Sequence, residues 1–476
     1  MNANNRREFL RALSASLGGA LLTVGPFGLL SCSGDGSTVA NAYSFYSVRQ
    51  GTGKILFDQS PSAVGAVTYA DPELQPLHFI ADPMLTDDGQ VVFEAYDVNG
   101  VLALYSIQIA FSGQKPVAQS QRTVVQVGQT LDSLSVDHID GVDVSANGIL
   151  GLVLSVADAD GKVRHALYAE RHGALSKIVV EGDLAQGGHV FSGIFHDVSI
   201  NDENALFVAR YLHQSADVAD QSPSMGLFVV PLDESSLPRL LVQQGDLPLS
   251  ADYPLTGLGL IDLHGQNYVA AGSVVVKNPG NTDPPSPDGK EQVILLGTLD
   301  GRQPIVIAAG PLLTGVVDSS VHIGNQLSTP RIQDGSPVFA LLKDGNHNIF
   351  GADGARTTTG AKSPSGLTPV LLSPAVPAAG GSLFHLQTVV AGAALDDGSE
   401  SRRELIHTDV SNVSTLLLTT GDQLVNDARK IWDISFGSFR RHVDIHRNLA
   451  ALVLFNDPSV TPGSVYPAAL IIGVPV

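Results

Sequence analysis

Length, composition and charge already exclude several classes of protein. The 476 residues are 43% hydrophobic and only 16% charged, whereas a typical soluble domain is roughly 25% charged. The formal net charge of −20 argues against a nucleic-acid-binding protein, because phosphate contacts require clustered Lys and Arg. The only cysteine is Cys32, so intramolecular disulfides and multi-cysteine metal sites are excluded.

The first 31 residues have the features of a cleaved signal peptide. Arg6 and Arg7 precede Phe9 and Leu10, and this order resembles the twin-arginine export motif. The moderately apolar stretch that follows is interrupted by Gly25-Pro26, which favours a signal segment over a permanent membrane-spanning helix.

The signal segment ends at Leu29-Leu30-Ser31-Cys32, which resembles a bacterial lipobox. The resemblance implies that Cys32 is acylated and becomes the mature N-terminus, and Ser33 after it is typical of outer-membrane sorting. We therefore expect a lipid-anchored protein of the bacterial cell envelope, with residues 32–43 as a flexible tether and residues 44–476 as one domain.

The rest of the chain consists of short apolar segments separated by turn residues, without a 3.6-residue period. Segments rich in Val, Leu, Ile and Phe, such as 205–212 and 225–232, are typical of strands buried on both faces. Abundant Gly (49 residues) and Pro (27 residues) suit a chain with many turns. These patterns predict an all-β fold.

Two markers repeat along this array at intervals near 60 residues. A glycine closes a fourth strand at Gly128, Gly182, Gly245, Gly310 and Gly421. An aspartate opens a first strand at Asp82, Asp143, Asp197, Asp262 and Asp444. Together they predict seven four-stranded units, the fifth opening at Arg331 and the sixth near Thr388.

The seventh unit lacks a fourth strand, and the segment Lys54–Gln59 near the front of the chain resembles one. A strand from the front that completes the last sheet closes a circular array, so the predicted architecture is a seven-bladed β-propeller of antiparallel blades. We expect it to be monomeric.

The repeats resemble those of a group of uncharacterised exported bacterial propeller proteins. Their units carry a Gly-Asp element after an apolar strand and a S-I-N-D-x-G-type turn before the next one. Here the turn is matched by residues 86–89 and 201–204. The resemblance implies the fold and assigns no catalytic residue.

No nucleophile elbow, zinc-protease motif or phosphate loop with the correct spacing is present. The histidines His165, His172, His189 and His196 fall in or near one unit without short ligand spacing, which indicates surface or hydrogen-bonded side chains. Hairpin sequences such as Asp97–Gly100 indicate turns rather than calcium loops.

The five opening aspartates are the candidate binding residues. If they meet at one mouth of the central channel, they form a site for a ligand or for Ca²⁺; the alternative is that each accepts backbone N–H groups of its own loop. No other cofactor is predicted.

Two functions remain open. The first is a lipid-anchored module that binds or scaffolds an envelope protein, a glycan or a small ligand. The second is an extracytoplasmic hydrolase or lyase that uses carboxylates, with or without a divalent metal, at the channel mouth.

Overall fold

The computed structural model shows an all-β chain, as the sequence predicts. Within the ranges it describes there is no α-helix, and the regular helical structure there is the 3₁₀-helix Ala379–Gly381. None of those residues forms a helix with the length and apolarity needed to cross a membrane. The structure describes residues 43–53, 77–213, 222–233, 235–249, 253–275, 290–309, 330–343, 346–351, 354–390, 401–437, 441–455 and 466–476.

The strands fall into units that follow the sequence repeat, and in most sheets strands that are consecutive along the chain are neighbours; β2 pairs with β4, and β25 pairs with β27. The strands of units 1 and 2 are β2 (His78–Phe79), β3 (Met84–Leu85), β4 (Gln90–Tyr96), β5 (Leu102–Ser112), β6 (Lys115–Gln126), β7 (Thr130–Leu131), β8 (Leu134–Val144), β9 (Leu150–Ala157), β10 (Val163–Arg171) and β11 (Ala174–Val180). The strands of units 3 and 4 are β12 (Leu184–Ala185), β13 (His189–Ile200), β14 (Asn204–His213), β15 (Ser224–Pro231), β16 (Arg239–Gln243), β17 (Leu255–His264), β18 (Asn267–Val275), β19 (Lys290–Thr298) and β20 (Ile305–Ala309).

The same order continues to the end of the chain. The strands of units 5 and 6 are β21 (Arg331–Gln333), β22 (Ser336–Lys343), β23 (Asn346–Gly351), β24 (Gly354–Thr358), β25 (Thr368–Leu372), β26 (Val376–Pro377), β27 (Leu383–Val390), β28 (Ser401–Thr408) and β29 (Ser414–Thr419). Unit 7 has β30 (Gln423–Leu424), β31 (Asp427–Ser435), β32 (Leu449–Phe455) and β33 (Tyr466–Pro475), and the first strand of the chain, β1 (Tyr43–Gly53), lies beside β33.

Each pair of consecutive units shares an apolar cluster, so the units stack face to face. Leu167 of unit 2 and Phe207 of unit 3 belong to one cluster, and Phe93 of unit 1 belongs to another with Leu452 of unit 7. The second strand of a unit is therefore buried on both faces. In β32, the second strand of unit 7, every residue is buried. Apart from a short parallel pair of β1 with β2, which joins the sheets of units 7 and 1, the sheets are antiparallel, and their succession is the architecture of a β-propeller.

The strand that lies beside β33 differs from the expected one. β1 pairs antiparallel with β33 from Tyr43 opposite Pro475 to Gly53 opposite Tyr466. The segment expected there, 54–59, lies outside the described residues. The sequence pointed to the wrong segment because β1 has polar and apolar residues in mixture, with Tyr, Ser and Gly among them. It therefore does not resemble the apolar fourth strands.

The repeated Gly-Asp element is the turn from a fourth strand to the next unit. Gly182 has a φ of 101°, which favours glycine, and its N–H donates to Phe191 in β13. The carboxylate of Asp183 accepts the N–H of Val180 at 2.9 Å. The same contacts recur at Gly245-Asp246 and at Gly421-Asp422, which explains why this dipeptide marks the repeat.

Arg331 begins β21, the first strand of unit 5, as predicted, but most of the other predicted openings are wrong. Asp143 and Asp262 lie near the ends of β8 and β17, not at their beginnings. Thr388 lies in β27, a second strand, and Asp444 lies in a turn before β32. The first strands β8, β13 and β17 contain Gly and other non-apolar residues before the aspartate, so they lack the continuous apolar run that is typical of the other strands.

We expect Phe45→Ala to lower the free energy of unfolding by about 3–5 kcal/mol, because it removes a large buried ring from the cluster between units 6 and 7. Phe111→Ala is the matched control, since Phe111 is 38% exposed at the end of β5. Denaturant unfolding measures both variants. Equal stability of the two would show that β1 is not part of the folded body.

Candidate functional site

The turns between first and second strands are joined to one another from unit to unit. Asp87 donates its N–H to Ala146, and the amide of Asn147 donates to the Asp202 carboxylate at 2.8 Å. The same turns recur further along, where the Asn201 amide donates to Gly265 at 2.7 Å. These contacts include the residues that mark the S-I-N-D-x-G-type turn, so the motif records a contact between units.

The chain of turns also joins the last unit to the first. Ile445 in the turn before β32 donates its N–H to the Asp87 carboxylate at 2.9 Å. Arg441 lies 3.8 Å from the same carboxylate. Asp334 donates its N–H to Nδ1 of His264 at 3.2 Å, which joins units 4 and 5.

These turns surround a polar pocket. Its lining comes from six units in succession, namely Asp143, Val144, Ile200, Asp262, Leu263, His264, Ile332, Gln333, Pro377, Arg441 and Val443. About 30 Å³ of its space is open to the centre of a water-sized molecule, which is room for a few waters or one small polar group, since one water needs roughly 10–15 Å³ on this measure. A whole sugar ring does not fit.

Asp143 and Asp262 are brought together in this pocket, and each is already hydrogen-bonded to the next unit. Asp143 Oδ2 accepts the N–H of Ile200 at 2.9 Å. Asp262 Oδ2 accepts the N–H of Ile332 at 2.7 Å. The hydroxyl of Ser199 lies between the two carboxylates, at 3.1 Å from Asp143 and 3.3 Å from Asp262. These contacts tie units 2 to 5 together.

Asp82 has a comparable role where the last unit meets the first. It is completely buried, and its carboxylate accepts from Ser435 and lies 3.2 Å from Nε2 of His442. Burial lowers the pKa of His442 to about 4, partly opposed by Asp82 and reinforced by the charge of Arg331. Arg331 is itself buried and donates to the Gly437 carbonyl at 2.6 Å.

The other two aspartates lie elsewhere. Asp444 accepts the N–H and amide of Asn448 in its own turn, both at 2.8 Å, and burial raises its pKa. Asp197 faces unit 4, where a Cβ at Gly259 would lie 3.4 Å from its carboxylate. Asp444 therefore holds its own loop, and Asp262 Oδ1 also accepts the N–H of the following Leu263 at 3.0 Å. Asp82, Asp143 and Asp262 contact neighbouring units.

A second polar cluster lies between units 2 and 3 and includes residues that sequence analysis missed. His138 and His196 place Nδ1 at 3.3 and 3.5 Å from Oδ1 of Asp140, and Ser155 donates to Oδ2 of Asp140 at 2.6 Å. Burial opposes but does not outweigh the hydrogen bonds that lower the pKa of Asp140, chiefly the one from His138.

The same cluster continues to His165, whose ring lies 6.2 Å from that of His196. Its Nδ1 is 2.6 Å from Glu181, and this hydrogen bond raises the pKa of His165. His138 and His165 both oppose Ser155, from the strands on either side of it. That alignment depends on strand register, which spacing along the sequence cannot reveal.

In the part of the chain that the structure describes, no three His, Cys, Asp or Glu side chains are arranged to hold one metal ion. The hairpin Asp97–Gly100 is a turn in which Asp97 Oδ1 accepts the N–H groups of Asn99 and Val101. Cys32, Arg6, Arg7, Phe9 and Leu10 lie outside the described residues.

Comparison with known proteins places the chain in a family. Residues 28–283 match the sequence model described as "Family of unknown function (DUF7453)", and this is more than half of the 476 residues. The chain belongs to DUF7453. No curated protein matches it.

Several solved structures are distantly similar to this DUF7453 member. The α-L-arabinofuranosidase Arb93A from Fusarium graminearum is 10% identical over 90% of this chain and 98% of its own, with a TM-score of 0.33. The Dos1 propeller is 10% identical over 83% and 78% of the two chains, with a TM-score of 0.32. A hypothetical selenium-binding protein from Sulfolobus tokodaii is 10% identical over 73% and 92%, with a TM-score of 0.33. Likenesses this weak carry no argument about activity.

We expect Asp143→Ala to lower the free energy of unfolding by about 1–3 kcal/mol, because it leaves the buried N–H of Ile200 without an acceptor. Asp143→Asn should cost less, since its amide oxygen can still accept. The melting temperature of the wild type should be the same in millimolar Ca²⁺ and in chelator. If Ca²⁺ bound here, a concentration a hundred times its dissociation constant would instead add about 2.7 kcal/mol to the free energy of unfolding. A rise in melting temperature with Ca²⁺ that Asp143→Asn abolishes would therefore contradict this expectation.

We expect acidification to destabilise the protein through His442. Its pKa is about 4 when folded and about 6.5 when unfolded, so below pH ~6.5 the unfolded chain binds a proton that the folded chain does not. Stability from this group is present above pH ~6.5 and lost towards pH ~4, by up to about 1.4 kcal/mol per pH unit.

The measurement is the free energy of unfolding between pH 7.5 and 5 for the wild type and for His442→Asn. The variant should have the shallower slope, whatever its stability at neutral pH. His172→Asn is the control, since His172 is exposed in a turn, and it should keep the wild-type slope. Parallel curves for wild type and His442→Asn would refute the assignment.

Proposed function

We propose that this chain is an exported, lipid-anchored β-propeller of seven blades that binds an envelope partner at the mouth formed by the joined turns. The partner, a protein or glycan, offers one polar or charged group to the pocket. The observation that carries the proposal is this pocket. Six successive units line it, and the lining includes the carboxylates of Asp143 and Asp262 and the guanidinium of Arg441.

Contacts at both ends of the chain support closure into a ring of seven blades. β1 supplies an outer strand to unit 7, and an apolar cluster joins units 7 and 1. The Asp82–His442 pair and the hydrogen bond from Ile445 to Asp87 lie at the same junction. A closed ring leaves few free strand edges, which suits a protein that must stay soluble next to a membrane.

The address rests on the N-terminal sequence. Tyr43 begins β1 on the side of the joined turns, because its hydroxyl donates to Arg447 in the turn before β32. The 11 residue-to-residue steps from Cys32 to Tyr43 span at most about 35 Å. An acylated Cys32 would keep the protein at the membrane, where a neighbouring envelope component can meet it.

A second candidate function, a hydrolase or lyase, is favoured by one observation, the His–carboxylate cluster between units 2 and 3. His196 and His165 are each paired with a carboxylate, and their rings are 6.2 Å apart. Histidine is the side chain that most often serves as a general acid or base. Asp140 lies between Ser155 and the histidines, so Ser155 is not activated as in a Ser-His-Asp triad. The mouth carboxylates Asp143 and Asp262 already accept backbone N–H groups.

Site-specific photocrosslinking in intact cells tests the binding proposal. A photoreactive amino acid at Ile445, which is 61% exposed beside the pocket, should give a discrete adduct. The same group at Val98, which is 51% exposed in a hairpin at the opposite end of the strands, is the matched control and should give none. Arg441→Gln should weaken the adduct at Ile445. Equal adducts at both positions, or none at Ile445, would refute the proposal.

The address has its own test. Cys32→Ala should abolish labelling by a fatty-acid analogue and release the protein from membranes, because it removes the acylated thiol. Arg6→Lys combined with Arg7→Lys should block export, whereas Arg11→Lys, outside the pair, should not. An unlabelled wild-type protein would show that the lipobox resemblance is misleading.

A further inference from the structure

Two histidines of unit 3 face each other across neighbouring strands, away from the pocket. His189, the first residue of β13, is directly opposite His213, the last residue of β14. Their ring centroids are 4.8 Å apart with the planes inclined at 78°. Directly opposed side chains in an antiparallel pair have their Cβ atoms about 4.5–5.5 Å apart, so both imidazoles project from one face of the sheet.

This separation matches that of two imidazoles bound to one metal ion. A zinc–nitrogen bond is about 2.0–2.1 Å long, so tetrahedral geometry places two imidazole centroids about 5 Å apart on the same ion. The observed 4.8 Å is close to that value. Small rotations about the side-chain bonds therefore suffice to direct a nitrogen of each ring to a common point.

The surroundings hold both rings in place and keep one of them neutral. Tyr211 contacts both rings edge to face, at 4.7 Å from His189 and 5.1 Å from His213. Its hydroxyl donates to Gln243 at 2.6 Å, so the phenol is fixed. Burial, followed by the proximity of His213, lowers the pKa of His189, and a neutral imidazole is the form that binds metals.

The backbone beside His189 is shaped to leave room for its ring. Gly187 has a φ of 82°, and a Cβ built on it would lie 3.3 Å from Nε2 of His189. The side-chain amide of the neighbouring Gln186 donates to the carbonyl of Leu237 at 3.2 Å. This hydrogen bond fixes the turn to the segment just before β16. A residue with a side chain at position 187 would therefore occupy the space beside the His189 ring.

We propose that His189 and His213 form a two-histidine clamp for a borderline transition-metal cation, of the class of Zn²⁺, Ni²⁺ or Cu²⁺. Imidazole is the ligand that these cations share, and water completes their coordination. The formal net charge of −20 favours accumulation of cations around the protein. The clamp supplies two protein ligands, and it is independent of the binding function proposed for the pocket.

Calorimetric titration of the full chain with Zn²⁺ and with Ni²⁺ tests the clamp. The protein is purified in detergent without a polyhistidine tag and stripped with EDTA. We expect one ion per chain and weaker binding from pH 7.5 to pH 5.5, since protons compete for the imidazoles. His213→Gln should raise the dissociation constant about tenfold or more, because one of two metal–nitrogen bonds is lost.

Two further measurements make the result decisive. His172→Asn, which removes an exposed histidine from another turn, should bind as the wild type does. The Cu²⁺ electron paramagnetic resonance spectrum should show coupling to two nitrogens in the wild type and to one in His213→Gln. His213 is exposed, so this variant should fold, and circular dichroism checks that it does. Equal binding by the wild type and His213→Gln, or no binding by the wild type at millimolar metal, would overturn the proposal.

Discussion

The structure depends on carboxylates that satisfy backbone N–H groups of the neighbouring unit. A first strand at the centre has a pairing partner on one side only, and a buried N–H without an acceptor costs about 1–3 kcal/mol. Asp143 and Asp262 supply acceptors to Ile200 and Ile332 across the boundary between units. The centre of the array is therefore held by directional polar contacts, whereas non-directional apolar packing fills the space between the sheets further out.

Burying several carboxylates near one another is costly, and the centre is arranged to limit that cost. Unit 5 places Arg331 where the repeat suggested an aspartate, so one cation replaces one anion. His442 stays neutral beside Asp82 at pH 7 because burial and Arg331 lower its pKa to about 4. Ser199 bridges Asp143 and Asp262. The break in the aspartate repeat is thus part of the electrostatic balance of the centre.

The sequence could predict what is local and repeated. The all-β class, the glycines that follow fourth strands at Gly128, Gly182, Gly245 and Gly421, and the turn Asp97–Gly100 all depend on residues close together in the chain, whereas Gly310 lies outside the described residues. The Gly182-Asp183 turn, for example, is defined by contacts within nine residues and by one glycine φ. What it could not predict depends on partners in other units. The aspartates look alike in sequence, yet Asp143 contacts Ile200 and Asp444 contacts Asn448, because strand register and turn length differ between units.

The same limit explains the histidines. His138, His165 and His196 meet because β8 and β10 both pair with β9, and because β13 of the next unit packs against that sheet. His189 and His213 are 24 positions apart in the sequence and meet only through strand pairing. A propeller brings such residues together at each boundary between blades while its centre stays occupied by structural polar contacts. In this chain the pocket at the joined turns has room for a few waters or one small polar group, and the histidine clusters lie between and on the blades instead.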